Sequence, residues 1–310
     1  MLPENRRIKS NHLYKPQHST NCIILLVLAS KAICLSVSLF VYHNAHGQSS
    51  KGELIPLYIP IKSNAFPNLV HDLQRALEAE SITEIQVKNT DFWHPYQQGI
   101  RKGRLGVYFA QPHFAAWGIS KHQFTPLYKL HGKLKYVLAT DRANSSIFEI
   151  TDLHDKTICR EAGLTLGSVW LNQLIRRHQL AVNTREITST RAAMASEQGN
   201  TAHSESMDRG HCDAYVIDDY SFEYVNSLTR GKYIRLAQSV IHQQNVFIAA
   251  PNVSQGLQVK LKQALKSKAV KRVLAPYFST LSKWQNLQSV GPQDYGPDES
   301  RLLAPYWFDE

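Results

Sequence analysis

Residues 163–168, Gly-Leu-Thr-Leu-Gly-Ser, join a strand-like run, Thr157 to Glu161, to a helix-like run, Leu166 to Gln179. Three kinds of chemistry fit this turn. G-x-T-x-G can be a nucleophile elbow with Thr165 in the place of serine, with acid and base following in hydrolase order from Asp213, Asp218 or Asp219 and then His242. A threonine nucleophile is rare in that role, and no HGGG-type oxyanion loop precedes it. Alternatively, the helix start is an anion cradle, because its unsatisfied N–H groups carry about half a unit of positive charge. The plainest reading is that Thr165 caps its helix. Metal chemistry has weaker support: His113, His122, His131, His154, His203, His211 and His242 are scattered, with no HExxH or CxxC spacing. Neither a metal nor a cofactor is expected.

The elements around that turn alternate between the two periodicities, which predicts an α/β architecture with mostly parallel sheets. "LIPLYIPI", "TEIQVKN" and "LGVYFAQ" read as strands separated by the helices "FPNLVHDLQRALEAE" and "FWHPYQQGIRKG"; "PHFAAWGIS" opens another helix. "FTPLYKLHGKLKYVLATDR" gives two strand-like runs around His131-Gly132. A second unit of the same pattern follows, with strands at Thr157 to Glu161, "TREITST" and "CDAYVID" and helices at Leu166 to Gln179, "RAAMASEQ" and "YSFEYVNSL". "YIRLA" and "NVFIAAP" return as strands, "SQGLQVKLKQALKS" is an amphipathic helix, and the proline- and glycine-rich "VGPQDYGPDESRLLAPYWF" is expected to wrap the surface in extended form.

The chain has 310 residues, room for two domains, and a formal charge of +10. Residues 1–47 contribute Arg6, Arg7, Lys9, Lys15 and Lys31 against Glu4, so 30 basic and 24 acidic residues remain from Gln48 onward, a net +6. That excess is spread thinly, and no basic stripe with interleaved aromatics is present, so nucleic acid is not an expected partner. Within residues 1–47, a basic polar stretch precedes an apolar run from Cys22 to Tyr42, and Ala45-His46-Gly47 supplies small residues before Gln48. This is the grammar of a signal peptide, cut near Gln48, or of an N-terminal membrane anchor spanning residues 22–42. Export leaves Cys159 and Cys212, which either pair or stay as two buried thiols.

Several segments together resemble the solute-binding proteins of bacterial ABC importers, in the phosphate, phosphite and phosphonate group of the type II periplasmic binding fold. They are "RKGRLGVYFAQPHFAAW", "YVLATDRANSSIFEITDLHDKTICREAGLTLGSVW", "DRGHCDAYVIDDYSFEYV" and "NVFIAAPNVSQGLQVKLKQAL". The resemblance runs from about Glu53 to Ser279. It implies a two-lobed molecule with two mostly parallel sheets, helices on both faces and a two-strand hinge. Lobe 1 would comprise 48–141 and 246–310, and lobe 2 would comprise 142–245. Crossing strands around 136–148 and 233–250 would form the hinge. In phosphonate binders the turn matching 164–167 is richer in hydroxyls; here Leu164 and Leu166 replace two of them, leaving Thr165, Ser168 and backbone amides.

The implied function is hinge closure over a small anionic, phosphonate- or phosphate-like solute in the periplasm. An exported monomer would deliver that solute to an ABC permease, or report it to a membrane sensor, without making or breaking a bond. A hydrolase using Thr165 is the enzyme alternative. Ligand contacts are expected at strand ends and helix starts of both lobes. The candidates are Ser63 in the Lys62-Ser63-Asn64 loop, Trp93, Tyr96, Gln111 and His113 in lobe 1, with Thr165, Gly167, Ser168, Asp218 and Tyr220 in lobe 2. Asp218 would repel an anion and suit an amino group, or would simply cap the helix from Ser221. The same fold makes the strands of Cys159 and Cys212 neighbours about 5 Å apart.

Overall fold

In the computed structural model of the chain, the described residues are 54–60, 66–90, 93–143, 146–187, 211–279, 281 and 285–307. The signal-peptide or anchor segment, the Lys62-Ser63-Asn64 loop and the expected helix "RAAMASEQ" lie outside them.

Two sheets organise the body. The first contains β1 (Ile55–Ile59), β2 (Ile85–Asn89), β3 (Val107–Ala110), β4 (Thr125–Leu130), β12 (Val246–Ala249) and β13 (Leu287–Ser289). Its order is β13-β4-β12-β3-β1-β2. The second contains β6 (Tyr136–Asp141), β7 (Thr157–Glu161), β8 (Asn183–Ile187), β9 (Ala214–Asp218) and β10 (Tyr233–Gln238), ordered β10-β6-β9-β7-β8. The expectation of mostly parallel sheets holds for β2-β1-β3 and β8-β7-β9, whose pairs are all parallel. It is corrected elsewhere: β12 pairs antiparallel with β3 and β4, β13 with β4, and β6 with β9 and β10. Both sheets are therefore mixed. Apart from β13 of the tail, the strands that add antiparallel pairs are the ones that leave a lobe or return to it.

The boundary also moves. β6, assigned from sequence to lobe 1, pairs with β9 and β10, so the second lobe starts near Tyr136 rather than after 141. The strands at 136–141 and 233–238 are built into that second sheet and are not the hinge. The crossing is instead made by the short pair β5 (Lys133–Leu134) and β11 (His242–Gln243).

Burial explains the sheet order. β3 and β12 are apolar and buried at every residue, as central strands covered on both faces must be. β8, at an edge, is mostly exposed and carries Arg185 and Glu186, charges that discourage pairing with a further strand. Helix α1 (Leu69–Ala79) buries Leu69, Leu73, Ala76 and Leu77, one stripe of a 3.6-residue period. After β3, Gln111 precedes α3 (Pro112–His122), with proline in its first turn. Residues 112–118 of α3 are all buried, because the C-terminal tail covers the face that solvent would otherwise meet.

That tail corrects the expected extended wrap. After β13 it forms a 3₁₀ turn at Pro292–Asp294 and a short helix at Pro297–Arg301, and it buries Tyr295, Leu303 and Trp307 in the first-lobe core. The Trp307 ring stacks on Phe114, with centroids 5.2 Å apart, and meets Trp117 edge-on at 5.3 Å. Next to it, Asn172 on the second-lobe helix donates to the Tyr306 hydroxyl at 2.7 Å. The tail therefore bonds across the lobes.

Cys159 on β7 and Cys212 just before β9 are paired in the second lobe, with Cα atoms 5.7 Å apart. The register that sets Cys159 beside Tyr215 brings the two together.

Candidate functional site

The ends of β7 and β9 and the crossing between the lobes converge on one small cavity of about 40 Å3. Helix α4 (Leu166–His178) points its N-terminus at it. Gly163 takes φ 81°, turning the chain after β7 in a conformation that glycine adopts without strain. Thr165 is then the extended N-cap, its Oγ1 accepting from the Ser168 N–H at 3.3 Å. The Ser168 hydroxyl donates to the Glu161 carbonyl at 2.7 Å, so the proton shared between Thr165 and Ser168, 2.9 Å apart, belongs to Thr165. Gly167 has no side chain because the Tyr136 ring lies where one would be: a Cβ there would sit 2.6 Å from Tyr136 Cε1.

The first lobe reaches this helix start directly. Gln111, the N-cap of α3, sends its side chain across to accept the Leu166 N–H through Oε1 at 2.9 Å. Two residues on, His113 Nε2 donates to the Leu164 carbonyl at 2.8 Å. His113 is fully buried, and burial pulls its imidazole down to about 3 against the lesser pull of that carbonyl. It is neutral, with its proton on Nε2 and with Nδ1 unpartnered. His242 at the crossing is also held below the usual histidine range by burial.

Of the residues expected from sequence, the structure brings Gln111, Thr165, Gly167, Ser168 and Asp218 to the cavity wall, with His113 on the adjoining turn. Asp218 is the N-cap of α5 (Asp219–Leu228), accepting from the Ser221 N–H at 2.9 Å. Tyr96 is corrected: its ring is fully buried against Tyr108 and Phe114, and its hydroxyl donates to the Phe109 carbonyl, so it is a core residue. Tyr220 is 38% exposed on the first turn of α5, outside the residues that line this cavity. Trp93 opens helix α2 (Trp93–Arg101); its side chain and all of Ser63 lie outside the described residues.

Sequence reasoning missed Glu161, Tyr136, Gln244 and Asn245, which complete the polar wall. Gln244 and Asn245 are 3% and 5% exposed, and Gln244 Oε1 and Asn245 Oδ1 have no hydrogen-bond partner. The signal was present in "HQQN", a run of amides immediately before the fully apolar β12. Among the described lining residues the charged groups are Glu161 and Asp218. No group of three or more His, Cys, Asp or Glu among the described residues could hold a metal ion.

No protein-family model and no curated protein sequence matches the chain. Solved structures do. XAC2383 from Xanthomonas citri, bound to ATP, superposes with a TM-score of 0.61 at 10% identity, covering 82% of this chain and 98% of its own. PhnD1 from Prochlorococcus marinus, in complex with methylphosphonate, gives 0.59 at 12% identity over 81% of this chain and 97% of its own. A binding protein component of an ABC phosphonate transporter from Pseudomonas aeruginosa gives 0.55 at 10% identity over 82% and 88%. At such identities the likeness speaks for fold, and the fold is that of the two-lobed type II periplasmic binding proteins.

Proposed function

We propose that this chain, built on the two-lobed periplasmic-binding-protein fold, is a periplasmic solute-binding protein that closes over a small ligand and hands it to an ABC importer. The observation that carries this reading is the pair of bonds across the cleft. Gln111 and His113 of the first lobe hold the turn at 164–166 of the second, beside a cavity walled by the strand ends of both lobes and by the crossing residues. Ligands of open α/β sheets sit at such strand ends, and a hinge made of two short strands permits closure around them. Neighbouring structures that are themselves complexed with a small molecule, or are a component of a transporter, support the same reading.

Thr165 acts here as a cap. Its hydroxyl bonds to Ser168 and not to a histidine, which is the geometry of a helix start and not of a nucleophile with its base. A phosphonate-like anion, the ligand implied by the sequence resemblance, can take the Leu166 N–H only by displacing the Gln111 side chain. The test is thermal unfolding of the full chain, purified in detergent, across phosphate, phosphite, phosphonates, sulfate, carboxylates, amino acids and amines. A binder at 100 times its dissociation constant stabilises by about 2.7 kcal/mol, a shift of roughly 2 °C or more. A chain that none of these solutes stabilises would sink the reading.

A further inference from the structure

The turn at 302–307, after the short helix at Pro297–Arg301, has two faces. It is tightly wound, with the Leu303 carbonyl accepting from the N–H groups of Tyr306 and Trp307, each at 2.8 Å. One face belongs to the first lobe. Leu303 and Trp307, four residues apart, are buried in its core, where Trp307 packs on Phe114 and Trp117. The other face meets the second lobe. Leu302 packs against the cluster that holds Leu138, Leu166 and Leu171, and the Tyr306 hydroxyl accepts from Asn172 Nδ2 at 2.7 Å. Leu302 and Tyr306 are again four residues apart, the spacing that sets two side chains side by side on a helical turn.

These second-lobe contacts fall on the helix that builds the site. Asn172 lies on α4, six residues or about 9 Å beyond Leu166. Leu166 itself gives its N–H to Gln111 of the first lobe at 2.9 Å. The site helix is therefore fastened to the first lobe at two points, by Gln111 at its first residue and by the tail further along. The two faces of the turn are unequal in strength. On the first-lobe side, Leu303 and Trp307 are at most 4% exposed, and the Tyr306 ring packs against the same core. On the second-lobe side there are one hydrogen bond and a partly buried leucine. When the lobes part, the turn stays with the first lobe, and the seam that breaks is the one between Leu302, Tyr306 and α4.

We infer that residues 302–307 are a latch that positions the site helix against the first lobe and biases the cleft toward its closed form without any solute. Tyr306, Asn172 and Leu302 are positioning residues, since none of them lines the cavity. The inference rests on the solute-binding reading for its use: a solute that enters an open cleft must wait for this seam to part, so the latch limits entry and release.

The test is hydrogen exchange of the full chain in detergent, without solute, resolved to single amides. The Leu166 amide is the reporter, because its acceptor sits on the other lobe. The Val169 amide, bonded to the Thr165 carbonyl at 2.9 Å within the second lobe, is the control. Tyr306→Phe keeps the ring and removes the hydroxyl, and Asn172→Ala removes the donor. Each should speed exchange at Leu166 about fivefold, the effect of one net hydrogen bond on the open population, and leave Val169 unchanged. The double variant should be no faster than the faster single one, because both changes delete the same bond. Unchanged exchange at Leu166 in both single variants would overturn the latch. An equal rise at Leu166 and Val169 would overturn it too, since the turn would then only stabilise the fold. Neither result touches the solute-binding reading, which the unfolding screen decides separately.

Discussion

At the residue scale, the side chains that define the site do so through proton placement. Thr165 and Ser168 carry the hydroxyls expected of an anion cradle, yet each proton has a partner inside the turn. His113 shows the same economy. Its Nε2 proton bridges the lobes, and burial keeps the ring neutral in the folded state down to about pH 3, whereas an unfolded histidine protonates near 6.5. The sign follows from linkage. Below pH 6.5 the unfolded chain binds a proton that the folded one refuses, so stability falls as pH falls, by about 1.4 kcal/mol per pH unit for one such group. His242, shifted the same way, adds to the slope. Urea unfolding between pH 6.5 and 4.5, above the range where most carboxylates titrate, should show a steep loss of stability. His113→Asn should lose up to one proton's worth of that slope; a slope identical to that of the unaltered protein would refute the assignment.

At the scale of elements, the second lobe depends on the register of β7 against β9. The same pairing brings Glu161 and Asp218, at the strand ends, to one cavity and lets Cys159 reach Cys212. The cystine closes a loop of 53 residues, so chain entropy gives it about 4 kcal/mol of stabilisation. Digestion under non-reducing conditions should yield a peptide pair joined through Cys159 and Cys212, and reduction should lower the unfolding midpoint by several degrees. Recovery of both peptides as free thiols would exclude the pairing. The neighbouring elements explain why a two-strand crossing suffices as a connection. Lys129, buried at the end of β4, bonds Gln243 of β11 at 2.9 Å and meets Asp294 of the tail at 3.4 Å, which fastens the crossing to the first lobe.

At the scale of the whole molecule, the lobes are held together by bonds that cross the cleft: Leu166 to Gln111, His113 to Leu164, and Asn172 to Tyr306. A solute shifts such a molecule only through its differential affinity for open and closed forms. Removing an internal bond that favours closure should therefore move the equilibrium without any ligand. Gln111→Ala is expected to increase the radius of gyration in small-angle X-ray scattering and to raise hydrogen exchange at the amides of 164–168. An unchanged scattering profile together with unchanged exchange would show that Gln111 does not hold the cleft.

The sequence by itself determined the strand-turn-helix runs at 157–178 and 214–228, the helix-start positions of Thr165, Gly167 and Ser168, and the strand-end positions of Gln111 and Asp218. All of these are local, because apolar periodicity and capping chemistry act within a few residues. It also paired the lobes in outline. Only the tertiary structure decided what the turn at 163–168 holds, since the Gln111 side chain that fills it comes from 55 residues upstream in the other lobe. The same is true of Gln244 and Asn245, amides with no local periodicity to single them out until the crossing strands carry them to the cavity. Tyr96 and Trp307 make the converse point. An aromatic residue carries no mark of ligand contact or core burial in its own sequence, and packing against Phe114 placed both rings inside the first lobe.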